Sequence, residues 1–105
     1  MKHVAKSDGF KDFVLDQLAD LRGLTVRAMF GGYGLYHRAT FFGIIHKDRL
    51  YFKVTPETVG RYKGQGMKPF RPNAKQTLKS FHEVPIDVLE DAERLVAWGQ
   101  ESAKR

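Results

Sequence analysis

The sequence predicts an α+β fold, a two-layer sandwich with helices on one face of an antiparallel sheet of about five strands. Three observations carry that prediction. Apolar residues recur at helical spacing near both ends of the chain, over 10–21 and 89–96. Between them, from Thr25 to Val54, the period falls to two. The links inside that stretch are short turns, and parallel strands would need longer crossovers, so the strands run antiparallel.

The first element is a helix that Ser7 or Asp8 can cap, in which Phe10, Phe13, Val14, Leu18 and Leu21 share a face, with Asp12, Asp16 and Asp20 on another and Gly23 as its stop. Four strands succeed it, TVRAMF, YGLYH, TFFGIIH and RLYFKV, parted by Gly31-Gly32, Arg38-Ala39 and Lys47-Asp48. In RLYFKV the alternation sets Leu50, Phe52 and Val54 towards the helices and Arg49, Tyr51 and Lys53 away from them. TFFGIIH is apolar on both faces, with Phe41 and Ile45 on one and Phe42 and Ile44 on the other. It is therefore expected at the centre of the sheet, its second face covered by loops or by a second copy in a homodimer. Thr55-Pro56 opens a short helix ending near Lys63, because proline suits the first helical position. Gly64, Gly66, Pro69 and Pro72 break the chain beyond it, QTLKSFHEV supplies a fifth strand, and a last helix starts at Asp87 or Asp91.

Gly31-Gly32-Tyr33-Gly34 invites comparison with phosphate-binding loops. Those loops lie between a strand and a helix, whose N-terminal amides hold the phosphate. Here the glycines lie between two strand patterns, so they read as a hairpin bend, with Gly34 letting an aromatic neighbour pack over bare backbone.

At 105 residues the chain is one domain. It contains no cysteine, which excludes a disulfide framework, a thiolate metal site and a cysteine nucleophile. The N-terminus lacks the apolar core of a signal peptide and no stretch is long enough to span a membrane, so a cytoplasmic protein is expected. The net charge of +6 is uneven: residues 22–82 hold twelve Lys and Arg against Asp48 and Glu57. An anionic partner, nucleic acid or an acidic protein surface, is the implied counterpart.

Catalytic chemistry finds no foothold. His3, His37, His46 and His82 show no metal-ligand spacing, and exposed strand-end histidines are the plainer reading; no metal or cofactor is expected. Glu90, Asp91 and Glu93 open a helix, where negative charge is favourable without any catalytic role. Ser7, Ser80 and Ser102 lack a nucleophile-elbow context.

The runs RAMFGGYGLY, DRLYFKV and FHEVPIDVLEDAERLVAWG together resemble the N-terminal domain of the TfoX family, also called Sxy, regulators of natural competence in bacteria. The resemblance spans about Phe10 to Trp98. It implies a two-layer α+β domain similar to secretion-chaperone-like folds, an intracellular role in transcription regulation, and no catalytic residues. Longer members look like coactivators working with the catabolite-activator protein at competence promoters. They have a second, C-terminal domain; none is expected in a sequence ending at Arg105, so residues 1–105 form a single TfoX N-terminal-like domain.

Residues 60–79, GRYKGQGMKPFRPNAKQTLK, are the strongest functional candidate. Arg61, Lys63, Lys68, Arg71, Lys75 and Lys79 stand there without an acidic residue, with Tyr62 and Phe70 among them. A mobile basic loop with aromatics can follow a phosphate backbone and stack bases. Against this, such a charge run is also the mark of a solvated surface, and Phe70 can serve as an anchor to the core. Three roles are open to the chain: a regulatory module meeting a transcription-related protein, which is favoured; weak non-specific nucleic-acid binding through 60–79; and an enzyme acting on a phosphorylated or acidic small molecule.

Overall fold

The computed structural model describes residues 6–29 and 31–104. α1 spans Lys6–Gln17, so it begins ahead of the cap expected at Ser7 or Asp8, and a turn carries the chain on to Leu21. Gly23, at φ +81°, redirects it into β1 (Leu24–Met29). β2 (Gly32–His37), β3 (Thr40–His46) and β4 (Arg49–Lys53) complete a meander. Arg38-Ala39 and Lys47-Asp48 all take positive φ, the backbone of two-residue hairpin turns whose twist matches the flanking strands. α2 (Val59–Gly64) comes next, then a hairpin of β5 (Pro69–Asn73) and β6 (Gln76–Glu83), then α3 (Ile86–Leu89) and α4 (Ala92–Ser102). Asp91 caps α4 by accepting a bond from the Arg94 amide at 3.2 Å, a structural use of that acidic cluster.

Among the described residues the sheet has six strands, in the order β1-β2-β3-β4-β6-β5, and every pair is antiparallel. The strand that the sequence does not predict is β5, in a stretch where Pro69 and Pro72 argue against pairing. It lies at the edge of the sheet, the position where a missing amide costs little.

On the helix face, Leu35, Ile45, Leu50 and Phe52 are buried against Val14, Leu18 and Leu21 of the first helical segment, Tyr62 of α2, Val88 of α3 and Leu95 of α4. The Gln17 side chain ties α1 to α3 by donating to the Leu89 carbonyl at 3.0 Å. Phe13 departs from the expected helical face and stands 40% exposed. The alternation expected of TFFGIIH fails as well. A register shift opposite Leu35 and Tyr36 pairs Tyr36 with Phe41 and Leu35 with Gly43, so Phe42 becomes the extra residue of a bulge. Phe42 turns to the helix face, its ring 5.6 Å from Phe52, and shares the main core with Ile45.

The second face has its own small core of Ile44, Phe70 and Phe81, backed by Phe41, Tyr51 and Leu78. Its cover comes from the β5–β6 hairpin. Because Phe42 and Ile44 are both fully buried within the chain, neither is free to meet a second copy, and the case for a homodimer on those two residues lapses.

A cationic cleft as candidate functional site

β4 and β6 lie side by side, with Tyr51 opposite Glu83 and Phe52 opposite His82. That pairing brings together residues 34 positions apart: the Arg49 Nη1 donates to both Glu83 carboxylate oxygens, at 3.0 and 3.2 Å. The Glu83 amide in turn donates to the Lys68 carbonyl at 3.0 Å, fixing the entry to β5 beside this ion pair. The outcome is a cleft of about 500 Å³ lined by Arg49, Tyr51, Lys68, Pro69, Arg71, Thr77 and Glu83. Its size lies within the usual range for small-molecule sites, roughly 300 to 1,000 Å³.

Three cations face one carboxylate there. Arg49 is held by Glu83, and Arg71 donates from Nη2 to the Ala74 carbonyl at 3.0 Å. Lys68 makes no ion pair among the described residues. Tyr51 packs on Phe70 with ring centroids 4.8 Å apart. Burial, and then the Glu83 charge, raise the Tyr51 pKa while Arg49 acts the other way, so the phenol stays protonated and able to donate.

The basic segment is thus a helix and a hairpin, not a loop, and its cations are dispersed. Lys68 and Arg71 enter the cleft. Arg61 belongs to the helical layer, its guanidinium 4.5 Å from the Trp98 ring centroid and ion-paired with Glu101. Lys63 is exposed on α2, Lys75 sits at the β5–β6 turn, and Lys79 borders a separate surface hollow with Val54, Pro56 and Val59. Phe70 is fully buried and lies edge-on to His46 at 5.2 Å. It is the anchor weighed from sequence, and no base can stack on it in this arrangement. Tyr62 is likewise fully buried, against Trp98 at 4.8 Å.

Sequence reasoning missed Arg49, Tyr51, Thr77 and Glu83 as companions of Lys68 and Arg71. The signal available was the alternation of RLYFKV, which set Arg49 and Tyr51 away from the helices; the pairing of β4 with β6 was not readable.

The histidines differ from expectation. His46 and His82 are buried, because β3 and β6 lie inside the sheet. They do not converge: His46 meets Phe70 on the second face, while His82 lies near Tyr62 on the helix side, ring centroids 6.4 Å apart. Burial, with a smaller push from Lys63, lowers the His82 pKa, and its Nδ1 has no hydrogen-bond partner among the described residues. Among the described residues no three of His, Asp and Glu are placed to share a metal ion.

The glycine run forms the β1–β2 hairpin. Gly31 takes φ +74°, and Gly34 leaves room for the Met29 thioether and the edge of Phe41, with Met29 the nearer. It precedes a strand, so no helix N-terminus stands behind it.

A model of the TfoX N-terminal domain matches residues 16–105. The chain belongs to that family. The match takes in every strand, α2, α3 and α4, and all residues of the cleft. No curated protein matches the chain. No described helix of this TfoX N-terminal domain is long and apolar enough to cross a membrane.

Proposed function

We propose that this TfoX N-terminal domain is a non-enzymatic regulatory module of the bacterial cytoplasm, a coactivator-type domain that docks an acidic surface of a transcription-related protein into the cleft between β4, β6 and β5. One observation carries the reading: the structure gathers Arg49 of β4 and Lys68 and Arg71 of the β5 segment into one cleft with the single carboxylate of Glu83. Glu83 is the one carboxylate among the lining residues and is engaged by Arg49, and no histidine lines the cleft with it. The competence role rests on family membership. Nucleic-acid binding through 60–79 keeps its charge but loses its stacking, since Tyr62 and Phe70 are inside the fold.

Affinity capture from bacterial extract at low salt tests the proposal, using the full chain and its Lys68→Glu/Arg71→Glu variant side by side. A transcription-related protein held by the first and released by the second is the expected result. Recovery of none, or equal recovery by both, refutes it.

A further inference from the structure

We propose that the cleft is a receptor for a phosphate monoester, whose dianionic phosphoryl group is held between Arg71, Lys68 and Arg49. The inference rests on the reading of this cleft as a contact site and names the acidic group that enters it. Charge comes first. Arg49, Lys68 and Arg71 against Glu83 leave two unmatched positive charges among the lining residues, the complement of a phosphate dianion at neutral pH.

Donor geometry comes second. Arg49 uses Nη1 on Glu83 and Arg71 uses Nη2 on the Ala74 carbonyl, so each guanidinium is steadied at one corner while its other N–H groups, which make no hydrogen bond among the described residues, remain for a ligand. Planar guanidinium forks match phosphate oxygens in pairs, and a steadied fork loses less freedom on binding. Lys68 adds a point charge that makes no ion pair among the described residues, and the Thr77 and Tyr51 hydroxyls add neutral donors.

The same features separate this ligand from other anions. A carboxylate brings one charge and two oxygens, half the complement. A nucleic-acid diester also has one charge per phosphate, so it too supplies half the complement. A terminal monoester enters end-on, presenting three oxygens to the cations and its ester arm to the open mouth of the cleft.

Titration of the full-length chain, followed by amide chemical shifts, tests this. The probes are phenyl phosphate, a phosphoserine peptide, the same peptide unphosphorylated, and dimethyl phosphate. Saturable shifts centred on Arg49, Tyr51, Lys68, Arg71 and Thr77 are expected for the first two. Arg71→Gln should weaken binding at least about 10-fold, as loss of a charge-assisted pair does. Lys104→Gln, an exposed change outside the cleft, should leave it unaltered. Lowering the pH from 7.5 to 5.5 should weaken it several-fold as the phosphate takes up a proton.

A phosphopeptide bound about 10-fold more tightly than phenyl phosphate would place the ester on a protein segment; equal binding would place it on a small organic phosphate. Shifts of the same size with dimethyl phosphate or the unphosphorylated peptide, or binding indifferent to Arg71→Gln, overturn the assignment. If neither phosphate binds while charge reversal still abolishes capture from extract, this inference fails and the docking proposal stands.

Discussion

Both faces of the sheet bury apolar side chains, but by different means. On the helix face, Phe42, Leu50 and Phe52 are buried under residues from all four helices, so many elements share the work of exclusion. On the second face, the small core of Ile44 and Phe81 is closed by Phe70, a side chain of the edge strand. The difference teaches that the cleft is not an accessory to a finished fold. Tyr51 forms part of its wall and Phe70 supports Tyr51 from behind, so the segment with the cations is also the lid of the lesser core.

Truncating one aromatic on each face measures that asymmetry. Phe52→Ala removes a fully buried ring from the larger core and should cost about 3 to 5 kcal/mol in urea denaturation. Phe70→Ala should cost less, roughly 2 to 4 kcal/mol, because an edge hairpin can settle into part of the space. The loss should also be local: amide exchange in Phe70→Ala should accelerate mainly in β5 and β6, whereas Phe52→Ala should raise it throughout the sheet. A Phe70→Ala cost below about 1 kcal/mol would mean that the side chain seals nothing, and the comparison of faces would break.

Legibility in the sequence divides along the same line. The helix face was legible because its pattern is local: Leu50, Phe52 and Val54 alternate within one strand, and the short turns enforce antiparallel neighbours. The second face was not. β5 has proline at two of its five residues, Pro69 and Pro72, and only its place at the edge makes that tolerable. The bulge that reorients Phe42 depends on the register between β2 and β3, which no single-strand pattern encodes. Lys68 and Arg71 were visible as charges, but Arg49, Tyr51, Thr77 and Glu83 join them only through the β4–β6 and β5–β6 pairings.

The glycines sharpen the contrast at smaller scale. A methyl at Gly32 would collide with the Ile45 carbonyl oxygen, which is backbone and cannot yield without moving β3. Gly32→Ala should therefore cost about 1 to 3 kcal/mol. At Gly34 the added methyl would come within 2.7 Å of the Met29 Cε and 2.8 Å of its Sδ, the end of a flexible side chain. Gly34→Ala should cost less than Gly32→Ala by denaturation, and the reverse order would show that Met29 is pinned on the second face.

The smallest effect at neutral pH is expected deep on the helix face, at Tyr62. Its buried hydroxyl lies near Ser102 without making a hydrogen bond of ordinary geometry, so Tyr62→Phe removes a desolvated group and little else. Stability near pH 7 should change by no more than about 0.5 kcal/mol. Alkali separates the two proteins. Burial, partly offset by Ser102 and Arg61, pushes the Tyr62 pKa from 10.0 to about 12. Below pH 10 the phenol is protonated in both folded and unfolded chains and contributes no pH dependence. Between about 10 and 12 the unfolded chain releases its proton while the folded one retains it, so wild-type stability falls as pH rises. Tyr62→Phe should lose this part of the decline, leaving a shallower slope in denaturation midpoints across that window. Equal slopes for the two proteins would mean that Tyr62 is solvated, and that the helix face is less dry than its packing shows.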